Sequence, residues 1–345
     1  TVEGANILTR NLIIFGQGAI RCHPFVLAEL EAASDVDPER GLIDFDRLLF
    51  KHIGYAISNA VRSLVMGLTL SRLTEVPARG WIARYYQRVN RYSASFALTA
   101  DVAMLVLGGE LKRKELLSAR LGDVLSYMYL VSMVLKHHED QGSPEADRPL
   151  VEWSCRMLLY RTQEQLHSFL RNFPNRWIAA TLRLLVFPRG RTFSSPSDEL
   201  GQEVVELIIN PTPSRERLCA EIYKTAEPGN ALGKLQEALE LAEEVKPLER
   251  KVFDAKRRGE LTADDTHGQI EEARKKSIIT AAEAKQIIAF DEKVMALIAV
   301  DDFAPEDLLQ HAQAARKKTA AKRPAKKKAK RTPRHSTKKS PLSPS

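Results

Sequence analysis

The sequence predicts an all-α protein built as helical bundles. Apolar residues recur every three or four positions through most of the chain, while alternating runs of the strand kind are scarce. The clearest stretch, Leu117, Leu121, Val124, Met128, Val131 and Leu135, draws one stripe down a single helix face. Ile57, Val61, Leu64 and Leu68 draw a second stripe, read as another core-facing helix.

A first helix is expected over about Asn6 to Leu30, with Asn6 as N-cap, because its side chain can accept from the free amides of the first turn. Glu3 then falls in the loop entering that helix. Residues 35–44 read as a polar connector containing Pro38 and Gly41, and a second helix covers about Asp46 to Leu73. Pro77 to Gly80 breaks the pattern. Trp81 to Leu107 and Leu111 to His138 read as two long helices parted by Gly108 and Gly109. A turn over 141–149 leads into a helix from about Leu150 to Asn172. Prolines and serines over 188–213 predict loops around one short helix, Glu199 to Ile209. Thr262, ahead of Asp264 and Asp265, marks one late helix start. Thr280 and Glu283, at capping-box spacing, mark another.

Composition bounds the function class. Cys22, Cys155 and Cys219 are odd in number, far apart and in no metal-ligand spacing, which suits a reducing compartment. No secretory signal pattern is present, and no uninterrupted apolar run reaches about 18 residues. A soluble or peripheral protein is expected. Residues 312–345 carry thirteen Lys and Arg and no acid, so the formal charge of +8 becomes −5 without them. That tail lacks any apolar period and is expected to be disordered. It also lacks aromatic residues for stacking, so only loose contact with polyanions is expected, not specific nucleic-acid recognition.

Near the start, Glu3-Gly4-Ala5-Asn6-Ile7-Leu8-Thr9-Arg10 places an acid beside a glycine, then an arginine. Alone, such an acid reads as an ordinary loop residue. The spacing, however, resembles the EGTxxIxR segment of flavin-dependent acyl-CoA dehydrogenases. Val2 to Pro24 as a whole is similar to the long bacterial form used in fatty-acid β-oxidation. The resemblance continues through Phe45 to Ser63, Val106 to Leu130, Phe173 to Arg176, Pro196 to Leu200 and Val300 to Leu308. It covers about residues 1–310.

The resemblance implies a division into 1–30, the last segment of the catalytic helical domain; 31–311, a helical C-terminal extension; and 312–345, the basic tail. It implies that Glu3 is the base taking the α-proton of an acyl-CoA thioester, while the β-hydrogen passes as hydride to FAD. The Glu3 backbone N–H and Gly4 would hold the substrate carbonyl, an oxyanion-hole arrangement. Gly4 and Ala5 would border the flavin, glycine because no Cβ blocks close approach. A carboxylate doing this work needs a water-poor cleft, where burial raises a carboxyl pKa. Val2 stands where the family commonly has Tyr, and Ala5 where it has Thr, so a hydroxyl contact to the flavin is absent.

Further implications are an electron-transfer flavoprotein as electron acceptor, homo-oligomers, and a place in the bacterial cytoplasm with peripheral contact to the inner face of the cell membrane. Most of the flavin and substrate pocket would come from domains ahead of the EG segment, so the chain reads as part of a longer enzyme and is expected to bind no flavin alone. The other reading is a non-catalytic helical module for oligomer contact or membrane docking.

The remaining features read as structural. Gly16-Gln17-Gly18 lacks the strand and third glycine of a dinucleotide fingerprint. Cys22-His23 has no partner at metal spacing. His137-His138 would close a helix, where imidazolium suits the carbonyl end. Asp101 and Asp123 interrupt apolar faces, which predicts a paired partner such as arginine. Arg10 reads as structural. Arg176 to Arg189 is a short apolar helix flanked by arginines, read as core, with a membrane-interface seat as the alternative.

Overall fold

The computed structural model describes residues 2–299 except 10–12, 14–16, 226 and 228. Among the described residues are fourteen α-helices and no strand, which bears out the all-α prediction. They fall into two compact units, one ending at Ile222 and one beginning at Tyr223. That division lies inside the stretch 31–311. Arg10, Val300 to Leu308 and the tail lie outside the described residues.

The expected first helix is in fact three: α1 (Val2–Leu8), α2 (Gly18–Cys22) and α3 (Val26–Ala33). Pro24 accounts for one break, since the residue before a proline is pushed out of the helical region and His23 is extended at φ −70°, ψ 136°. Helix α4 (Pro38–Leu68) begins earlier than the apolar pattern suggests. Asp37 caps it by accepting from the amides of Glu39 and Arg40, and Pro38, preset for helical φ and needing no amide partner, starts it.

The face of α4 turned to the body is small and polar: Asn59, Ser63 and Gly67 are its buried residues beyond Gly41. Ser63 shares a hydrogen bond with Ser95 at 2.8 Å and donates to the Leu185 carbonyl at 3.2 Å. A Cβ at Gly67 would stand 2.6 Å from Pro188 Cγ, so glycine is what lets the chain pass there. The stripe read as core therefore points the other way. Phe50 is 72% exposed, Ile57 60% and Val61 55%.

A tight turn at Gly80–Ile82 leads into α5 (Ala83–Leu107), which stops at Gly108 in a positive-φ conformation. The next expected helix breaks at Lys114 into α6 (Glu110–Arg113) and α7 (Glu115–Asp140). Leu117, Leu121, Val124, Met128, Val131 and Leu135 are all buried, as predicted, and each stabilises the fold by roughly 2 kcal/mol through apolar burial. They pack against α8 (Arg148–Asn172) and α5, in a core that α9 (Arg176–Val186) also enters. Ala179, Leu182 and Val186 put one face of α9 in that core, while Trp177 stays exposed. Buried Arg91 of α5 donates to the Val186 carbonyl at 3.1 Å. A cation at the carbonyl end of α9 suits the helix dipole. The unit closes with α10 (Asp198–Ile209), as expected, and α11 (Pro213–Leu218).

The second unit contains α12 (Ala231–Arg257), α13 (Thr266–Lys275) and α14 (Ala281–Ile298) around a core of Val245, Val252, Leu261, Ile270, Ile279 and Ile287. The α13 cap is Asp265, not Thr262; Thr262 and Ala263 instead donate their amides to the Glu272 carboxylate. Thr280 and Glu283 form the predicted capping box. No helix among the described residues is long and apolar enough to cross a membrane.

Candidate functional site

Glu3, Gly4, Ala5 and Asn6 lie within α1, not in a loop ahead of it, and all four are exposed. Asn6 is therefore not an N-cap. Glu3 lies in the first turn, where backbone N–H groups have no acceptor inside the helix. Among the described residues, no atom beyond the helix's own backbone and the adjoining residues stands within 4 Å of the place a Cβ would take on Gly4. The segment is thus open to a group approaching from outside.

Just downstream, four titratable side chains from separate elements meet. His23 Nε2 is 2.6 Å from Asp101 Oδ1 on α5, while its Nδ1 accepts from the amides of Phe25 and Val26 at 3.2 and 3.1 Å. Two donors at Nδ1 fix the ring proton on Nε2, so His23 donates to Asp101. His52 of α4 pairs through Nδ1 with Glu29 of α3 at 2.9 Å, and its Nε2 stands 3.9 Å from Asp101 Oδ1. The Phe25 ring stacks on His52 with centroids 5.5 Å apart. Burial holds the Asp101 carboxyl above the usual range, with His23 and His52 pulling the other way. Asp101 Oδ2 is buried without a hydrogen-bond partner among the described residues.

The ligand atoms of His23, His52 and Asp101 lie within 4.8 Å of one another. The donor set does not suit a metal ion, because the Nε2 atom of His23 that faces Asp101 carries the proton. What the cluster does is mechanical. It fastens the α2–α3 turn and α3 to α4 and α5. A cleft of about 440 Å³ opens beside it, lined in part by Cys22, Tyr55, Asp101, Met104 and Leu125. The predicted structural role of Cys22-His23 is thus given a partner, and the partner of Asp101 is histidine, not arginine. Sequence reasoning missed Glu29 and His52, whose separation from Asp101 leaves no local pattern; the one signal was an acid interrupting the apolar face of α5.

The family model for acyl-CoA dehydrogenase, C-terminal, bacterial type, matches residues 20–303. The chain belongs to this family. Its match begins within α2 and takes in the His23–Asp101 cluster, whereas Glu3 to Arg10 lie ahead of it. No solved structure matches the chain. As an acyl-CoA dehydrogenase C-terminal domain it comes from a family of oxidoreductases that are generally FAD-dependent, take acyl-CoA and form oligomers.

Other predicted features settle within this dehydrogenase domain. His138 closes α7 but is buried, and burial pushes its pKa down, so the ring is held neutral against Trp81, not as imidazolium. Burial pushes the Cys155 thiol up to about 12, which makes it an inert core residue.

Proposed function

We propose that this chain carries the proton-abstracting step of an FAD-dependent acyl-CoA dehydrogenase, with Glu3 as the base. What carries the reading is the EG segment, open at Gly4, in a chain of this family; Glu3 is exposed in this structure, so the water-poor cleft that the chemistry needs would have to be completed by the enzyme's flavin-binding domains. The Glu3 carboxylate takes the α-proton, and the C–H electron pair moves into the thioester enolate. The Glu3 amide donates to the thioester oxygen and stabilises the charge that develops there. Gly4 would admit the substrate and Ala5 would border a bound flavin. A bound flavin would supply the acceptor for the β-hydrogen and its electron pair, and loss of both hydrogens would leave the trans-2 double bond. Fatty-acid β-oxidation in the bacterial cytoplasm, with electrons passing to an electron-transfer flavoprotein, completes this reading.

The test is made in the enzyme assembled with its flavin-binding domains. Glu3→Gln leaves flavin absorbance intact and removes substrate-dependent bleaching, with a loss of at least about a thousandfold in turnover. Full bleaching in that variant would falsify the assignment.

A second reading, a module for oligomer contact, has its own observation. The outward stripe of α4 runs through Phe50, Ile53, Ile57, Val61 and Val65, with exposed Gly54 and Ser58 in its middle. A continuous apolar face on a helix marks an interaction surface, and small residues at its centre let another helix approach closely. A second copy of the chain fits that notch better than lipid does, since close approach at Gly54 and Ser58 is specific to packing against another helix. Ile57→Glu is expected to halve the mass measured by light scattering; an unchanged mass, or loss of vesicle binding instead, defeats the copy-to-copy reading.

A further inference from the structure

A cavity of about 320 Å³ lies between the start of α5, the first half of α8 and the stretch after α9. Three guanidinium groups line it, those of Arg84, Arg88 and Arg156, with a single carboxylate, Glu152. Glu152 already accepts from Arg148 at 2.9 Å and from Arg156 at 3.1 Å. Arg84 donates only to uncharged oxygens, Gln87 Oε1 at 2.6 Å and the Leu70 carbonyl at 3.1 Å. Arg88 lies 5.4 Å from the Tyr85 ring centroid and 5.1 Å from that of Phe193. Neither Arg84 nor Arg88 has a carboxylate partner among the described residues.

Such a set is electrostatically incomplete. Burial pushes the Arg88 pKa down and the nearby charge of Arg156 adds to it. Arg84 is pushed down by burial, then by Arg88 and Arg72. Like charges held together against aromatic walls repel more strongly than they would in water. The lining still retains them, and it adds the hydroxyls of Thr192 and Ser194. Thr192 Oγ1 accepts from Arg91 at 3.3 Å, which leaves its own proton to donate.

We propose that this cavity is a binding site for a phosphate group, with the guanidiniums of Arg84, Arg88 and Arg156 as its charged donors and Thr192 and Ser194 as its neutral ones. Three arginines against one shared carboxylate leave an excess of two positive charges, the complement of a phosphate dianion. Planar guanidinium forks match phosphate oxygens better than ammonium groups do. The phosphate could belong to a free phosphate ester or to a lipid headgroup. The site is independent of Glu3 and of the dehydrogenase reading.

The full chain is titrated by calorimetry with inorganic phosphate, with a nucleoside monophosphate, and with vesicles of phosphatidic acid in phosphatidylcholine. Saturable binding at one site per chain is expected. Arg88→Gln weakens it by about tenfold or more, the worth of a charge-assisted hydrogen bond, and Arg88→Lys restores part of the loss. Arg84→Gln, which gives up bonds to neutral oxygens alone, gives the same readout if Arg88→Gln loses its helical circular dichroism. Binding of the soluble phosphates assigns the source to a free ester, and binding of vesicles alone assigns it to a headgroup. The basic tail binds anions too, so binding unchanged in both variants would belong to the tail and overturn the proposal, as would the absence of binding in every arm.

Discussion

Asp101 shows what one buried carboxyl does for this fold. Its neighbours are His23, His52 and, beyond them, Glu29, and its second oxygen has no partner among the described residues. Because burial raises its pKa, the folded chain holds the Asp101 proton more tightly than the unfolded chain does. The stability it contributes is complete below the ordinary Asp pKa, about 4, and is lost as pH rises through the raised value. Asp101→Asn still accepts from His23 Nε2 and never ionises. It is expected to unfold at higher urea than the parent at neutral pH, with the gap closing as pH falls toward 4. Asp101→Ala strands the His23 proton and costs about 1–3 kcal/mol. Equal destabilisation by the two variants would show that the hydrogen bond from His23 is not what matters there.

At the scale of elements, the second unit is held by two carboxylates that were read only in part. Glu283 was legible as the far half of a capping box with Thr280. Glu272 was not, because it reaches back ten residues to the amides of Thr262 and Ala263. Glu272 is held down to about 2, first by its hydrogen bond from Lys276 and then by those amides. Glu283 is held down to about 2, first by Lys251 and then by the Thr280 amide. For a lowered pKa the sign reverses. The contribution is present above the ordinary Glu pKa, about 4.3, and lost as pH falls toward 2. Glu272→Gln and Glu283→Gln should each lower the midpoint of denaturant unfolding of α12–α14 at neutral pH and flatten its acid dependence over that window. A slope left as steep as the parent's would rule out these two groups as its source. The same scale explains the reversal on α4. Its period was correctly legible, but period alone does not say which neighbour a face meets. Asn59, Ser63 and Gly67 turn inward because close approach to Ser95 and Pro188 requires small side chains.

Across the whole molecule, the all-α class and the long helices were legible because helical periodicity is local. The division after Ile222 was not, since it depends on which distant segments share a core. Helix α12 also escaped notice, its apolar positions diluted by Glu and Lys and interrupted by Pro247. The EG segment was legible only through its resemblance to a family, and the His23–Asp101 cluster only in three dimensions. One consequence follows from where the thiols fall. Cys155 is sealed in the core, whereas exposed Cys22 stands at the rim of the cleft beside Asp101. Once Cys219 is replaced by serine, a fluorophore attached through a maleimide would report from that rim alone, giving an optical signal of anything that enters the cleft or loosens the histidine–carboxylate cluster beside it.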